Sequence, residues 1–199
     1  RSRRQRQMCI RDSSKLSGTY QSACLAKDMV DYENIFIIDT LTAVAGIRLL
    51  CEVAMNWIGE NRSVESIVSG LEELKEHVHI YAGLDTLEYL AKGGRISKTA
   101  AAIGTLASIK PIICVDHGEV VVAGKTRGVN KATSVVCEKM QSDIVDTLYP
   151  VYTLYSYGLE NVEKLESKLD LDVNRVRIGS TIGVHIGPNA FGVCFVSKL

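Results

Sequence analysis

Three features of the chain predict a two-domain α/β fold. A short, continuously apolar strand, "NIFIID" at 34–39, lies between helical patterns, and a long apolar-faced helical stretch follows it directly. From residue 78 onward, strand patterns recur between further helical ones. A strand without polar alternation is usually covered on both faces, which implies parallel pairing in a layered sheet. The expected organisation is therefore a small α/β domain with a parallel sheet over 13–72 and a mixed α/β domain over 73–199, meeting near 72–78.

The elements follow in order. The first twelve residues, "RSRRQRQMCIRD", show neither strand alternation nor an apolar helical face, and are expected to be a basic arm foreign to the fold, such as translated read-through at the edge of a gene fragment. "GTYQSACLAKDMV" groups Tyr20, Ala23, Cys24, Ala26 and Val30 near one helical face, so a helix is expected to open at the Ser-Gly-Thr turn. After the strand, a helix is expected over 40–61, capped near Thr40 or Thr42, and another over 63–78, with Ser63 and Ser66 before an acidic first turn. "VHIYAGL" alternates as a strand, "TLEYLAKGGRISK" is a short helix ending in paired glycines, and "TAAAIGTLAS" (99–108) is a small-residue helix. Residues 110–128 make a hairpin turning at Asp116 to Gly118. A helix (128–147), a strand (150–156), a helix (160–170), a strand (174–180) and a closing strand (191–196) complete the chain.

Composition excludes several classes. With 199 residues, 46% hydrophobic and 23% charged, the chain is neither disordered nor fibrous. A chain of this size buries roughly 70% of its unfolded surface. No apolar run reaches the ~20 residues of a membrane span and no signal-peptide core is present, so the expected location is the cytoplasm. The six cysteines are scattered without metal-ligand spacing, so they read as reduced, four of them as small core residues, and no metal is expected. The zero net charge hides five arginines in the first eleven positions, leaving 18 basic against 23 acidic residues elsewhere. No basic stripe with interleaved aromatics continues that arm, which argues against nucleic acid as a partner.

Four stretches carry candidate chemistry. "SSKLSGTYQSA", beginning at Ser13, sets hydroxyls and a glycine where a strand hands over to a helix. Either Ser14 or Ser17 caps that helix, or the turn offers backbone N–H groups and hydroxyls to an anion. In "KGGRIS" (92–97), Arg95 emerges from a glycine turn, either toward a carboxylate or phosphate or simply into solvent. "GSTIGVHIGPNAFG" (179–192) presents His185 in a segment too glycine-rich for a helix, as a hydrogen-bond donor or as a satisfied structural residue. "GKTRGVNKA" (124–132) gathers Lys125, Arg127 and Lys131 at a strand end, as a docking patch or a solvated end. His77, His79 and His117 receive no role.

"SSKLSGTYQSA", "IIDTLTAVAGIRLL", "LDTLEYLAKGGRIS" and "GVHIGPNAFGVCF", in this order and at these intervals, resemble the DegV family, from about Ser13 to Val196. The resemblance implies a DegV-like fold in which a smaller and a larger domain clasp one long-chain fatty acid, with no cofactor. It also implies a non-enzymatic lipid-binding subunit that presents the carboxylate to a separate ATP-dependent kinase subunit of the DAK-like type, which makes acyl phosphate for bacterial phospholipid synthesis. By motif position, Ser13 or Ser14 and His185 hold the carboxylate, Arg95 lies at the headgroup mouth, and Arg127 with Lys125 faces the kinase. Family members carry about eighty residues before the double serine, so a chain lacking them is expected to leave an edge and apolar surface of "NIFIID" exposed.

Two other readings stand beside this one. A Ser/His acyl hydrolase or transferase using Ser14 and His185 needs an orienting carboxylate, and no GxSxG elbow is present. A regulatory module would hold a phosphometabolite at the helix-end turn and Arg95.

Overall fold

A computed structural model of the chain describes residues 7–11, 13–97 and 108–198. All but the last residue of the small-residue helix expected over 99–108 lies outside the described residues. The strands are β1 (Gln7–Arg11), β2 (Ile35–Asp39), β3 (Val78–Gly83), β4 (Ile109–Asp116), β5 (Glu119–Arg127), β6 (Tyr152–Tyr155), β7 (Asn174–Arg177) and β8 (Phe191–Val196). The helices are α1 (Thr19–Asp28), α2 (Ala45–Gly59), α3 (Val64–Leu74), α4 (Glu88–Lys92), α5 (Val129–Ser142), α6 (Glu160–Glu166) and α7 (Ser180–Ile186).

The strands form a two-stranded parallel sheet, β1-β2, and a six-stranded sheet in the order β5-β4-β3-β8-β6-β7. Among the described strands of the larger sheet, only the β6-β7 pair is parallel. The mixed α/β class expected from the sequence is the one observed. Strand alternation splits the larger sheet into two faces. Ile80 and Ala82 of β3 and Cys194 and Val196 of β8 join the α2 residues Leu49, Leu50 and Val53 in one core. Phe191, Val193 and Phe195 of β8 pack with Ala132, Val136 and Met140 of α5 and with α6 in the other. Lying between two apolar layers, β8 is buried at all six positions.

One irregularity sets the orientation of β5. Ile113 pairs with Val122 and Ile112 with Gly124, so Ala123 is an extra residue in a β-bulge. Val120 and Val122 belong to the α2-side core, and Ala123 packs on the α5 side. Beyond the bulge, Lys125 pairs with Pro111 and Arg127 with Ile109, both in step with Ile113 on β4. The exposed Lys125 and Arg127 therefore stand on the same sheet face as Val120 and Val122.

Several boundaries differ from expectation. Residues 7–11 of the supposed foreign arm are strand β1, because the backbone edge of β2 accepts a parallel partner along its whole length. The expected 40–61 helix starts only at Ala45, since Leu41 and Val44 have φ of 50 and 49 and turn the chain sharply. Thr40 and Thr42 do not cap it. Both are buried in that turn, where the Thr42 N–H donates to Thr40 Oγ1 at 3.4 Å. Ser63 does cap α3, accepting the Ser66 N–H at 3.2 Å. Helix α1 buries none of its residues, and Val30 of its expected face lies beyond its end. The described cysteines Cys24, Cys51, Cys114, Cys137 and Cys194 are free, but only Cys137 and Cys194 are buried, short of the expected four.

The largest correction concerns His185. Its segment is the helix α7, not a turn: the Gly183 N–H donates to the Gly179 carbonyl at 2.9 Å, and the Gly187 N–H to the Gly183 carbonyl at 2.9 Å. Gly183 costs the helix some propensity but leaves it intact, and Gly187 at φ +77 ends it.

Candidate functional site

Between the large sheet and the α2, α4 and α7 side of the molecule lies a cavity with about 130 Å³ of room for the centres of water molecules. Its wall is almost wholly aliphatic. Ile80, Ala82, Ile113 and Leu154 come from the sheet, Leu90 from α4, and Ile182 and Ile186 from α7. The polar exceptions are Ser17, Arg95, Thr181 and His185. Thr181 and His185 are four residues apart on α7 and so share a face. Val184, which points away, is 66% exposed.

The polar groups are tied together through the glycine turn after α4. Arg95 Nη1 donates to the Gly93 carbonyl at 2.6 Å, and Arg95 Nε donates to the Leu16 carbonyl at 3.1 Å. The His185 ring lies directly against Gly93. The turn at Gly93 thus brings Arg95, the imidazole and the loop carrying Ser17 to one end of the cavity. Among the described residues, His185 Nδ1 is buried and has no hydrogen-bond partner.

The hydroxyl-rich loop does something other than expected. The backbone donors of residues 13–17 are already satisfied: Ser13 N–H by the Thr42 carbonyl at 3.3 Å, Ser14 N–H by Asp39 Oδ1 at 3.0 Å, Lys15 N–H by Ser13 Oγ at 3.2 Å, and Leu16 and Ser17 N–H by the Ser13 carbonyl at 3.0 and 3.1 Å. The N–H groups of residues 13–17 are therefore not free for an anion, because Ser13 itself organises the turn. Ser13 is fully buried and its hydroxyl donates to the Gly118 carbonyl at 2.7 Å, anchoring the loop to the β4-β5 hairpin. Lys15 adds an exposed ion pair with Glu119 at 3.3 Å. Neither Ser13 nor Ser14 belongs to the cavity wall, so Ser14 does not meet His185 there. The wall hydroxyl from this loop is Ser17, which also accepts the Thr19 N–H at 3.3 Å.

A second network, unread in the sequence, fixes the far end of α7. Ser156 Oγ donates to the Gly187 carbonyl at 2.8 Å and accepts the Ala190 N–H at 3.0 Å. Asn189 Nδ2 donates to Asp85 Oδ2 at 2.8 Å, and Lys110 Nζ donates to Asp85 Oδ1 at 2.6 Å. Burial pushes the Asp85 carboxyl up, but the Lys110 and Asn189 hydrogen bonds more than offset it and hold it below the usual carboxylate range. The four-residue spacings of Thr181 with His185 and of Ile182 with Ile186 were the sequence signals for this helix. Their value depended on reading through Gly183.

Among the described residues, no group of three or more His, Cys, Asp or Glu is placed to hold a metal, and no helix is long and apolar enough to cross a membrane. His79, given no role from sequence, meets Ser197 Oγ through Nε2 at 3.1 Å.

Fold and site together define an α/β protein built around an apolar cavity with one polar end. The chain matches, over residues 4–198, the family described as "Uncharacterised protein, DegV family", and it belongs to the DegV family. It is 37% identical over 194 residues to a DegV domain-containing protein of Clostridium acetobutylicum, covering 96% of this chain and 70% of that one. A structure titled for fatty-acid binding by a DegV family protein from Thermus thermophilus superposes with a TM-score of 0.85 at 29% identity, over 96% of this chain and 70% of that one. The Streptococcus pneumoniae Fatty Acid Kinase (Fak) B3 protein, loaded with linoleic acid, shares the fold with a TM-score of 0.86 at 19% identity, over 96% of this chain and 71% of that one.

Proposed function

We propose that the chain binds a long-chain fatty acid, with its tail in the aliphatic cavity and its carboxylate at the end marked by Arg95, His185 and Ser17. The observation that carries this reading is the single-ended polarity of the cavity: aliphatic walls with Ser17, Arg95 and His185 gathered at the Gly93 turn. A carboxylate in an apolar site is costly without such donors, and a tail gains roughly 0.8 kcal/mol per buried CH₂. The fatty-acid binding of the Thermus thermophilus relative supports the same reading.

The chain acts as a carrier and supplies no bond-making group of its own. In this reading it presents the carboxylate to a separate ATP-dependent kinase. A carboxylate oxygen attacks the γ-phosphorus of ATP, the new O–P bond makes an acyl phosphate, and ADP leaves. Lys125 and Arg127, exposed on the cavity-side face of the sheet, are the groups assigned to kinase docking. Ser13 and Ser14, expected from motif position to hold the carboxylate, are reassigned to shaping the loop that carries Ser17.

Mass spectrometry of the denatured, organic-extracted protein tests the binding half. A co-purified long-chain acid in near-stoichiometric amount is the expected result, and a polar metabolite or no ligand would overturn it. The kinase half is read separately, by trapping acyl phosphate with hydroxylamine in the presence of kinase and ATP. The double variant Lys125→Ala/Arg127→Ala is expected to lower hydroxamate yield while leaving fatty-acid affinity unchanged.

A further inference from the structure

Gly93 and Gly94 look interchangeable in the sequence, yet the fold uses them in opposite ways. Gly94 has φ +71, a left-handed conformation that strains any other residue, but a Cβ there would meet nothing within 4 Å. Gly93, at φ −77 and ψ −7, has a backbone any residue adopts. What requires glycine at 93 is the neighbouring helix: an added Cβ would collide with Nδ1 and Cε1 of His185. The carbonyl of the same residue accepts the hydrogen bond from Arg95 Nη1 at 2.6 Å.

We propose that Gly93 is the positioning residue of the polar end, seating the His185 imidazole through its missing side chain and directing Arg95 through its carbonyl. Nδ1 rests against Gly93, buried and unpartnered, so the nitrogen left for the cavity is Nε2. A hydrogen on Nδ1 would be a buried donor with no acceptor, which is costlier than an unmet acceptor. The neutral ring therefore carries its hydrogen on Nε2 and offers it to a headgroup oxygen. This rests on the fatty-acid reading only for the ligand; the seating of the ring stands independently of it.

The test uses four variants of the chain: Gly93→Ala, Gly94→Ala, His185→Ala and the double Gly93→Ala/His185→Ala. Oleate titration is expected to show Gly93→Ala weakened about tenfold or more, as for His185→Ala, since both remove a hydrogen bond to a charged group. The double variant should bind no more weakly than His185→Ala alone, and Gly94→Ala should keep wild-type affinity. Wild-type affinity in Gly93→Ala, or a further loss in the double variant, overturns the proposal. If Gly93→Ala melts early, deleting the ring should restore the melting temperature; failure to restore it also overturns the proposal, by making Gly93 a purely structural glycine. Long-range ¹H–¹⁵N spectra of His185 without ligand give an independent readout: the Nε2–H pattern in the wild type and in Gly94→Ala, and a displaced pattern in Gly93→Ala. An Nδ1–H pattern in the wild type refutes the tautomer. Should the wild type bind no oleate at all, the fatty-acid reading fails, while the spectra and the melting rescue still decide the role of Gly93.

Discussion

Ser13→Ala separates holding the loop from holding the ligand. Ser13 is fully buried, its hydroxyl donates to the buried Gly118 carbonyl at 2.7 Å, and the same oxygen accepts the Lys15 N–H at 3.2 Å. Alanine leaves that carbonyl without a donor, whereas the Lys15 N–H, at an exposed residue, can turn to water. One orphaned buried acceptor costs about 1–3 kcal/mol. With 2 kcal/mol as the centre of that range, the melting temperature of a chain of this size should fall by about 4–8 °C. Ser17→Ala should do the reverse, because Ser17 lies on the cavity wall and its partners Thr19 Oγ1 and Thr19 N–H are at the surface. Its melting temperature should hardly change, while oleate affinity falls roughly tenfold. Circular-dichroism melts and oleate titrations of both variants supply the comparison. A Ser13→Ala protein that melts like the wild type but no longer binds oleate would refute this division of labour and return Ser13 to the headgroup.

Two more predictions follow from the site and its surroundings. Saturated acids from eight to twelve carbons should gain affinity about fourfold per added CH₂, the ratio that roughly 0.8 kcal/mol per methylene gives; a flat series would show that the aliphatic wall does not receive the tail. Glu166 is held below the usual carboxylate range, first by its hydrogen bond with Arg175 and then, against an opposing push from burial, by the hydroxyl of Thr153. A depressed acid stabilises the fold above its unfolded pKa of about 4.3, and that stability is lost as pH falls through the folded value. Melting temperatures of wild type and Arg175→Ala should therefore differ most above about pH 5 and converge on acidification, and parallel curves would contradict the pairing.

Strands were the most legible part of the sequence. Val78, Ile80 and Ala82 alternate into one core, and the unbroken apolar run at 191–196 marks the strand covered on both faces. Arg95 and His185 were also legible, as an arginine on a glycine turn and a histidine beside Gly187, and the fold brings both to one cavity. The conformation around them was not. Gly183 disguised α7, because helix propensity weighs one glycine without the packing of Ile182 and Ile186 against the core. Ser13, Ser14 and Ser17 are alike in the sequence and different in task. Which hydroxyl reaches the cavity depends on Gly118 and Thr42, residues far along the chain that no local pattern connects to them. Strand β1 was hidden by the arginines flanking its apolar centre, and its partner β2 is what makes it a strand.

The extra residue at Ala123 gives β5 one unit of slack. A deletion at that point would straighten the ladder and still leave Lys125 and Arg127 turned toward the side of Val122, whereas a deletion further along, at Thr126, would rotate Arg127 to the opposite side. The strand can therefore shorten by one residue within the bulge without losing the alignment between the oily chamber and its cationic flank, but not beyond it.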